Sequence, residues 1–137
     1  MRQRAIKRAR ERIARRLRAR HQGIRPIPEA GLFNFRCHEN CVEYLRTHPG
    51  VALRIAETIY LDEGEPVLHY VVVDRSNRYL EVTLGWRAEQ LEYYLVRILD
   101  ERDHTRIHSE FDRSLTDWLY EFTSWWDRKV LGITRIL

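Results

Sequence analysis

Residues 66–84 read PVLHYVVVDRSNRYLEVTL, two runs rich in branched and aromatic residues joined by polar turn residues, and the way they pair decides what the chain can build. Both runs predict strands. In the first, Val67, His69, Val71 and Val73 share one face and Leu68, Tyr70 and Val72 the other, so both faces point to buried surroundings. A lone histidine among valines stands out. A two-residue Ser-Asn loop would pair Arg75 with Arg78, set Glu81 opposite Val72 and turn it away from His69. An odd loop of three or five residues pairs Asp74 with Arg78, sets Glu81 opposite Val71 and brings the carboxylate onto the histidine's face. Only the odd loop unites the two side chains.

Upstream, VALRIAETIYL (51–61) predicts a third strand, and the DEGEP turn makes the three an antiparallel meander. Before it comes FNFRCHENCVEYL (33–45). Asn34 can accept from an early helical N–H as N-cap, and Pro49-Gly50 stops the segment, which predicts a helix over about 35–47. Cys37, Cys41, Tyr44 and Leu45 fall on one face of that helix, turned toward the core. Cys37 is then an inward first-turn thiol. Helix N–H groups favour its thiolate and burial opposes it, so a neighbouring imidazolium must decide the balance.

The chain has 137 residues, 44% of them hydrophobic, with four Trp, enough for one core and too few for two. Two cysteines spaced C-x3-C give neither a disulfide framework nor a metal site, which points to a free thiol in the cytoplasm or another reducing compartment. No apolar run reaches membrane-spanning length, so no transmembrane segment is expected. The N-terminus is basic without an apolar h-region, hence no signal peptide; it is acid-poor like a transit peptide but lacks Ser, leaving organelle import a minor alternative. The net charge of +4 hides an asymmetry: residues 1–25 carry eleven Lys or Arg against Glu11 alone, and the remainder carries thirteen bases against nineteen acids.

Residues 1–25 therefore read as a basic helical arm with a thin apolar stripe of Ile6, Ala9, Ile13 and Leu17, residues 26–33 as a linker, and residues 34–137 as a single domain. Such an arm, with Arg8, Arg12, Arg15 and Arg16 as its anion-binding face, can seek nucleic acid or another polyanion, an anionic surface or an acidic protein, or can fold back on its own domain. With no aromatic residue among the arginines, any nucleic-acid contact would be to backbone and salt-dependent.

Residues 91–99, LEYYLVRIL, fit a short helix or a strand, with strand slightly the better match. DERDHTRIH (100–108) reads as an exposed loop. From Ser109 onward, Phe111, Leu115, Trp118, Leu119, Phe122, Trp125 and Trp126 form the stripe of one amphipathic helix, read as packing surface. The fold class expected is α+β: a cysteine-bearing helix on a small antiparallel sheet, with an Arg-rich N-terminal helix and a Trp-rich C-terminal one.

The order Cys37-x-x-Asn40 at a helix start, His69 on a strand and Glu81-x-Thr83 twelve residues on resembles the small NlpC-type branch of the papain-like cysteine hydrolases, over about Asn34 to Gly85. The third residue departs from that pattern in being Glu, and His69 is followed by Tyr-Val rather than a small residue and Trp. The resemblance implies a papain-like core in which Cys37 attacks a carbonyl, His69 takes and returns the proton and Glu81 orients the ring. It also implies a peptide-like or acylated substrate. Chemically, acyl transfer needs a thiolate, a proton acceptor and donors aimed at the developing oxyanion. The Cys37 N–H can supply one donor; Asn34, unless committed to capping, can supply a second, and Asn40 and Thr83 can support the site. No cofactor is required. A zinc site from Cys37, Cys41 and His69 lacks a fourth ligand and the usual spacing, so no metal is expected. His21, His38, His48, His104 and His108 sit in polar contexts with no visible chemistry. The alternative is a non-catalytic scaffold whose Arg-rich arm does the binding.

Overall fold

In a computed structural model, which describes residues 1–29 and 36–137, the chain is a mixed α and β structure built on one curled six-stranded sheet. The elements are α1 (Arg2–Arg20), β1 (Gly23–Ile24), β2 (Ile27–Pro28), α2 (Cys37–Thr47), β3 (Ala52–Asp62), β4 (Glu65–Asp74), β5 (Tyr79–Glu81), a 3-10 turn (Gly85–Gln90), β6 (Glu92–Ile98), α3 (Glu101–His104), α4 (Ile107–Phe122) and α5 (Trp125–Lys129). The strand order is β1-β6-β3-β4-β5-β2, all neighbours antiparallel except β5 and β2. β1 and β2 lie at opposite edges, yet only Arg25 and Pro26 separate them. Three Cα steps from Ile24 to Ile27 span at most about 11 Å. The two edges must therefore approach, and the sheet curls nearly into a barrel.

The curl sorts the apolar residues. Ile24, Ala56, Val71, Val73, Ala88 and Tyr93 pack together on the inner face. On the outer face, α2 covers Ile55, Tyr70, Val72 and Leu80 with Cys37, Cys41 and Tyr44. A third cluster joins Ala5, Ala9, Ile13, Ala14 and Leu17 of α1 to Ile59, Leu61, Leu68, Trp118, Leu119, Phe122, Ile133 and Ile136. Residues 1–20 are thus a structural wall and do not stand apart as an arm. The helix ends at Arg20; the end of the expected arm supplies one edge strand, β1, and the expected linker supplies the other, β2. Ile6 is only partly buried while Ala5 and Ala14 are buried, which widens the expected stripe.

The register of the decisive pair is the odd one. Val72 faces Leu80, Val73 faces Tyr79, and the Asp74 N–H donates to the Arg78 carbonyl at 2.9 Å. A three-residue loop, Arg75-Ser76-Asn77, results. Its shape has a local cause: Asp74 Oδ1 accepts from the N–H groups of Ser76 (2.9 Å) and Arg78 (2.8 Å), while Asn77 takes φ 61°, a left-handed conformation that Asn tolerates.

Residues 91–99 resolve as a strand, since β6 supplies the partner that β3 needs on its far edge. The stretch 100–108 contains the short α3 and the start of α4 rather than an open loop. The long Trp-rich helix is broken at Thr123, and a new helix starts at Ser124, whose side chain accepts from the Asp127 N–H while Asp127 accepts from the Ser124 N–H. That capping box redirects the chain. Trp118 stays in the core, stacked on Phe122, whereas Trp125 and Trp126 are 63% and 52% exposed. Packing is therefore the wrong role for those two. Among the described residues no helix is long and apolar enough to cross a membrane.

Candidate active site

Three elements converge on one point. Cys37 opens α2, His69 sits mid-strand in β4 and Glu81 ends β5. The His69 Nε2–H donates to the Glu81 carboxylate, 2.8 and 2.9 Å from its two oxygens. This fixes the ring's tautomer and leaves Nδ1 for the thiol, whose proximity raises the ring. The ring's backbone is held by Thr58, whose hydroxyl donates to the His69 carbonyl at 2.8 Å, and Tyr60 packs edge-on to it at 5.2 Å.

Glu81 is fully buried, so its charge needs every donor it can find. It has four. Besides His69, Oε1 accepts from the N–H groups of Thr83 (3.0 Å) and Leu84 (3.1 Å), and Oε2 from the Tyr93 hydroxyl at 2.6 Å. Burial alone would push its carboxyl up. The His69 hydrogen bond and charge, with Tyr93 and the Leu84 N–H, outweigh burial and hold it below the usual carboxylate range.

Cys37 and His69 shift in opposite senses. For the thiol, burial is the largest influence and raises it, but the neighbouring His38 and His69 rings, the His69 charge and the Tyr70 N–H together hold it down to about 6. For the ring, burial is again largest and lowers it, yet Cys37 and Glu81 push it up to about 10. Between those values the pair is a thiolate beside an imidazolium. Cys41, fully buried one turn on, is driven the other way by burial, well above the ordinary thiol value. Both cysteines are free of disulfide bonds.

A cleft of about 340 Å³ reaches this buried pair, lined by Arg36, Cys37, His38, Tyr60, His69, Thr83, Arg87, Phe111 and Arg135 among others. A larger cavity of about 720 Å³, between β1 and the 3-10 turn, holds neither cysteine nor histidine. Comparison with known proteins finds no matching family model, no matching curated protein and no matching solved structure. The chemistry is therefore read from the side chains alone.

Other residues singled out in the sequence fall differently. Asn40 is buried, and its Nδ2 donates to Thr83 Oγ1 at 3.1 Å, which ties α2 to the segment after β5. That makes it a positioning residue. Asn34 lies outside the described residues. Arg12 donates to the Phe122 carbonyl, and Arg16 pairs with Glu121 and lies over the Phe122 ring, so both are spent on the chain itself. Arg8 and Arg15 stay exposed.

Sequence reasoning missed His38, which neighbours the thiol, and Tyr93, which sits in the ambiguous segment 91–99. It likewise missed the arginines of the cleft. His38 also belongs to the one trio among the described residues that can offer three metal-ligand atoms outside this pair: His38, Glu39 and His108, with His38 Nε2 3.0 Å from His108 Nδ1. Arg36 already donates to Glu39 at 2.8 Å, so a cation there competes with a guanidinium.

Proposed function

We propose that the protein is a thiol-dependent amide hydrolase or acyl transferase with a papain-like catalytic arrangement, similar in its site to the NlpC-type cysteine hydrolases. The observation that carries this is the buried Cys37–His69–Glu81 line opening into a cleft. Such a constellation costs stability unless it is fully bonded, and here every member is.

The chemistry follows from the tautomer. The Cys37 thiolate attacks the carbonyl carbon of the substrate, forming an S–C bond, and the oxyanion meets the Cys37 N–H at the start of α2. As the C–N bond breaks, imidazolium Nδ1–H gives its proton to the leaving amine, while Glu81 keeps Nε2–H in place. The acyl thioester is then released to water, whose proton His69 accepts, or to an acceptor amine, and the thiolate is restored. Glu81 replaces the shorter acid or amide of similar enzymes without misplacing the ring, because Tyr93 and two backbone N–H groups fix its carboxylate. The competing scaffold reading draws less support: the arginines it needs are partly engaged within the chain.

The test is site-resolved labelling with iodoacetamide at pH 6. Cys37 is expected to react at least tenfold faster than Cys41, and His69→Ala to remove that advantage. Slow, equal labelling of both thiols would leave the scaffold reading in its place.

A further inference from the structure

Resting on that reading, we propose that the Cys37 cleft selects an acyl group carrying a negative charge, a carboxylate or a phosphate, held by Arg87 and Arg135. The cleft is asymmetric in charge. Among the described residues three guanidinium groups, Arg36, Arg87 and Arg135, line it beside Tyr60, Thr83, Phe111 and aliphatic side chains, and none of those lining residues is Asp or Glu. A cleft with low-dielectric walls focuses such a field, concentrating anions and repelling cations.

The two arginines are available for a ligand in different ways. Arg87 donates to Asp62 at 3.0 Å, but both side chains are about half exposed, at 46% and 45%, and Asp62 lies outside the cleft. An exposed pair of this kind contributes little to stability, so a ligand can exchange for it. The Arg87 charge is also felt inside: after burial, it is the next influence on the Tyr60 hydroxyl. Arg135 uses Nε to donate to the backbone oxygen of Leu137 at 2.6 Å, which restrains the guanidinium. Among the described residues no Asp or Glu side chain pairs with it. Its two terminal nitrogens remain as a fork matched to two oxygens of one anion. Both arginines border the same cleft of about 340 Å³ as the thiolate, at the small end of the range for ligand sites.

Two alkylating reagents of equal size and opposite affinity for such a site test this. Iodoacetate is anionic and iodoacetamide neutral; with either, the Cys37 sulfur bonds to the methylene carbon and iodide leaves. The ratio of their Cys37 rates, iodoacetate over iodoacetamide, is expected to exceed the ratio for N-acetylcysteine at least tenfold. It should fall toward the free-thiol value in Arg87→Gln and Arg135→Gln and with rising salt. A ratio equal to the free thiol's, unmoved by either variant, would overturn the anion preference while leaving the thiol reading intact. Slow reaction with both reagents would instead sink the thiol reading. In that case titration of 15N-arginine-labelled protein with glutarate and with inorganic phosphate decides separately. Saturable shifts at Arg87 and Arg135 support the site, the tighter ligand telling carboxylate from phosphate. Absence of shifts with both overturns it.

Discussion

Replacing Glu81 by Gln perturbs the site at the atom where the relay is fixed. The amide oxygen of Gln can keep the Thr83 and Leu84 N–H groups that now reach Oε1 at 3.0 and 3.1 Å. Its NH2 then takes the place of Oε2, 2.8 Å from His69 Nε2, donor against donor, and leaves the ring as acceptor only the amide oxygen at 2.9 Å, which already holds two N–H groups. The ring answers by moving its proton to Nδ1, so that Nε2 accepts from the amide and Nδ1 no longer accepts from the thiol. It also loses the carboxylate that kept it charged inside the protein. Without an imidazolium partner the thiol climbs from about 6 to or above the ordinary cysteine value. At pH 7 the thiolate fraction then drops from about nine-tenths to about one-hundredth, roughly a ninetyfold loss of alkylation rate. Amide-bond turnover falls further, by as much as about 10⁴-fold, because the tautomer removes the base as well. Site-resolved iodoacetamide kinetics at pH 7 measure the first effect, with circular dichroism to show that Glu81→Gln is folded. A folded variant that labels Cys37 within twofold of the wild-type rate would refute the reasoning.

Other consequences are independent of the reaction. Leu17 is fully buried in α1, so Leu17→Ala should cost about 2–5 kcal/mol in urea unfolding; a loss under about 0.5 kcal/mol would mean that α1 is a solvated arm after all. Asn77, at φ 61°, should tolerate Gly with little change, whereas Asn77→Val should cost about 1–2 kcal/mol. The pH dependence of stability has a particular shape. The lowered Cys37 adds stability above its ordinary value of 9.0, lost as pH falls through about 6, and the raised His69 adds stability below 6.5, lost as pH rises through about 10. Between pH 6.5 and 9.0 the folded and unfolded pairs each hold one proton, so the difference in unfolding free energy between wild type and Cys37→Ala/His69→Ala should be flat. Across pH 9 to 10 it should fall, by about 1.4 kcal/mol in all; a difference still rising there would contradict the ion pair.

The meander and the cysteine helix were legible because alternation and turn residues are local signals. The loop parity was legible only as a choice between two registers. What settled it, the Asp74 carboxylate closing over the N–H groups of Ser76 and Arg78 with Asn77 left-handed, is readable as Asp and Asn turn chemistry once the alternatives are framed. The break before Trp125 also had a sequence signature, Ser124-x-x-Asp127, overshadowed by the continuing apolar period. Charge misled at the N-terminus: ten arginines and a lysine drew attention from Ala5, Ala9, Ile13 and Leu17, which need only one narrow buried side. Tyr93 on Glu81, and the buried Glu57 shared by Tyr70, Ser114 and Arg97, arise from strand partners and helices far apart in the chain. Nothing local encodes such meetings.

The central claim is that sulfur and imidazole hold one proton between them as an ion pair at neutral pH. Thiolate absorbance near 240 nm, titrated from pH 4 to 10 on wild type and on Cys37→Ser, measures it directly. One thiolate should appear with a midpoint near pH 6 in the wild type, and none should appear below pH 8 in Cys37→Ser, because Cys41 is held protonated by burial. A wild-type curve that stays flat to pH 8 would show that the pair is not ionised and would remove the nucleophile from the account.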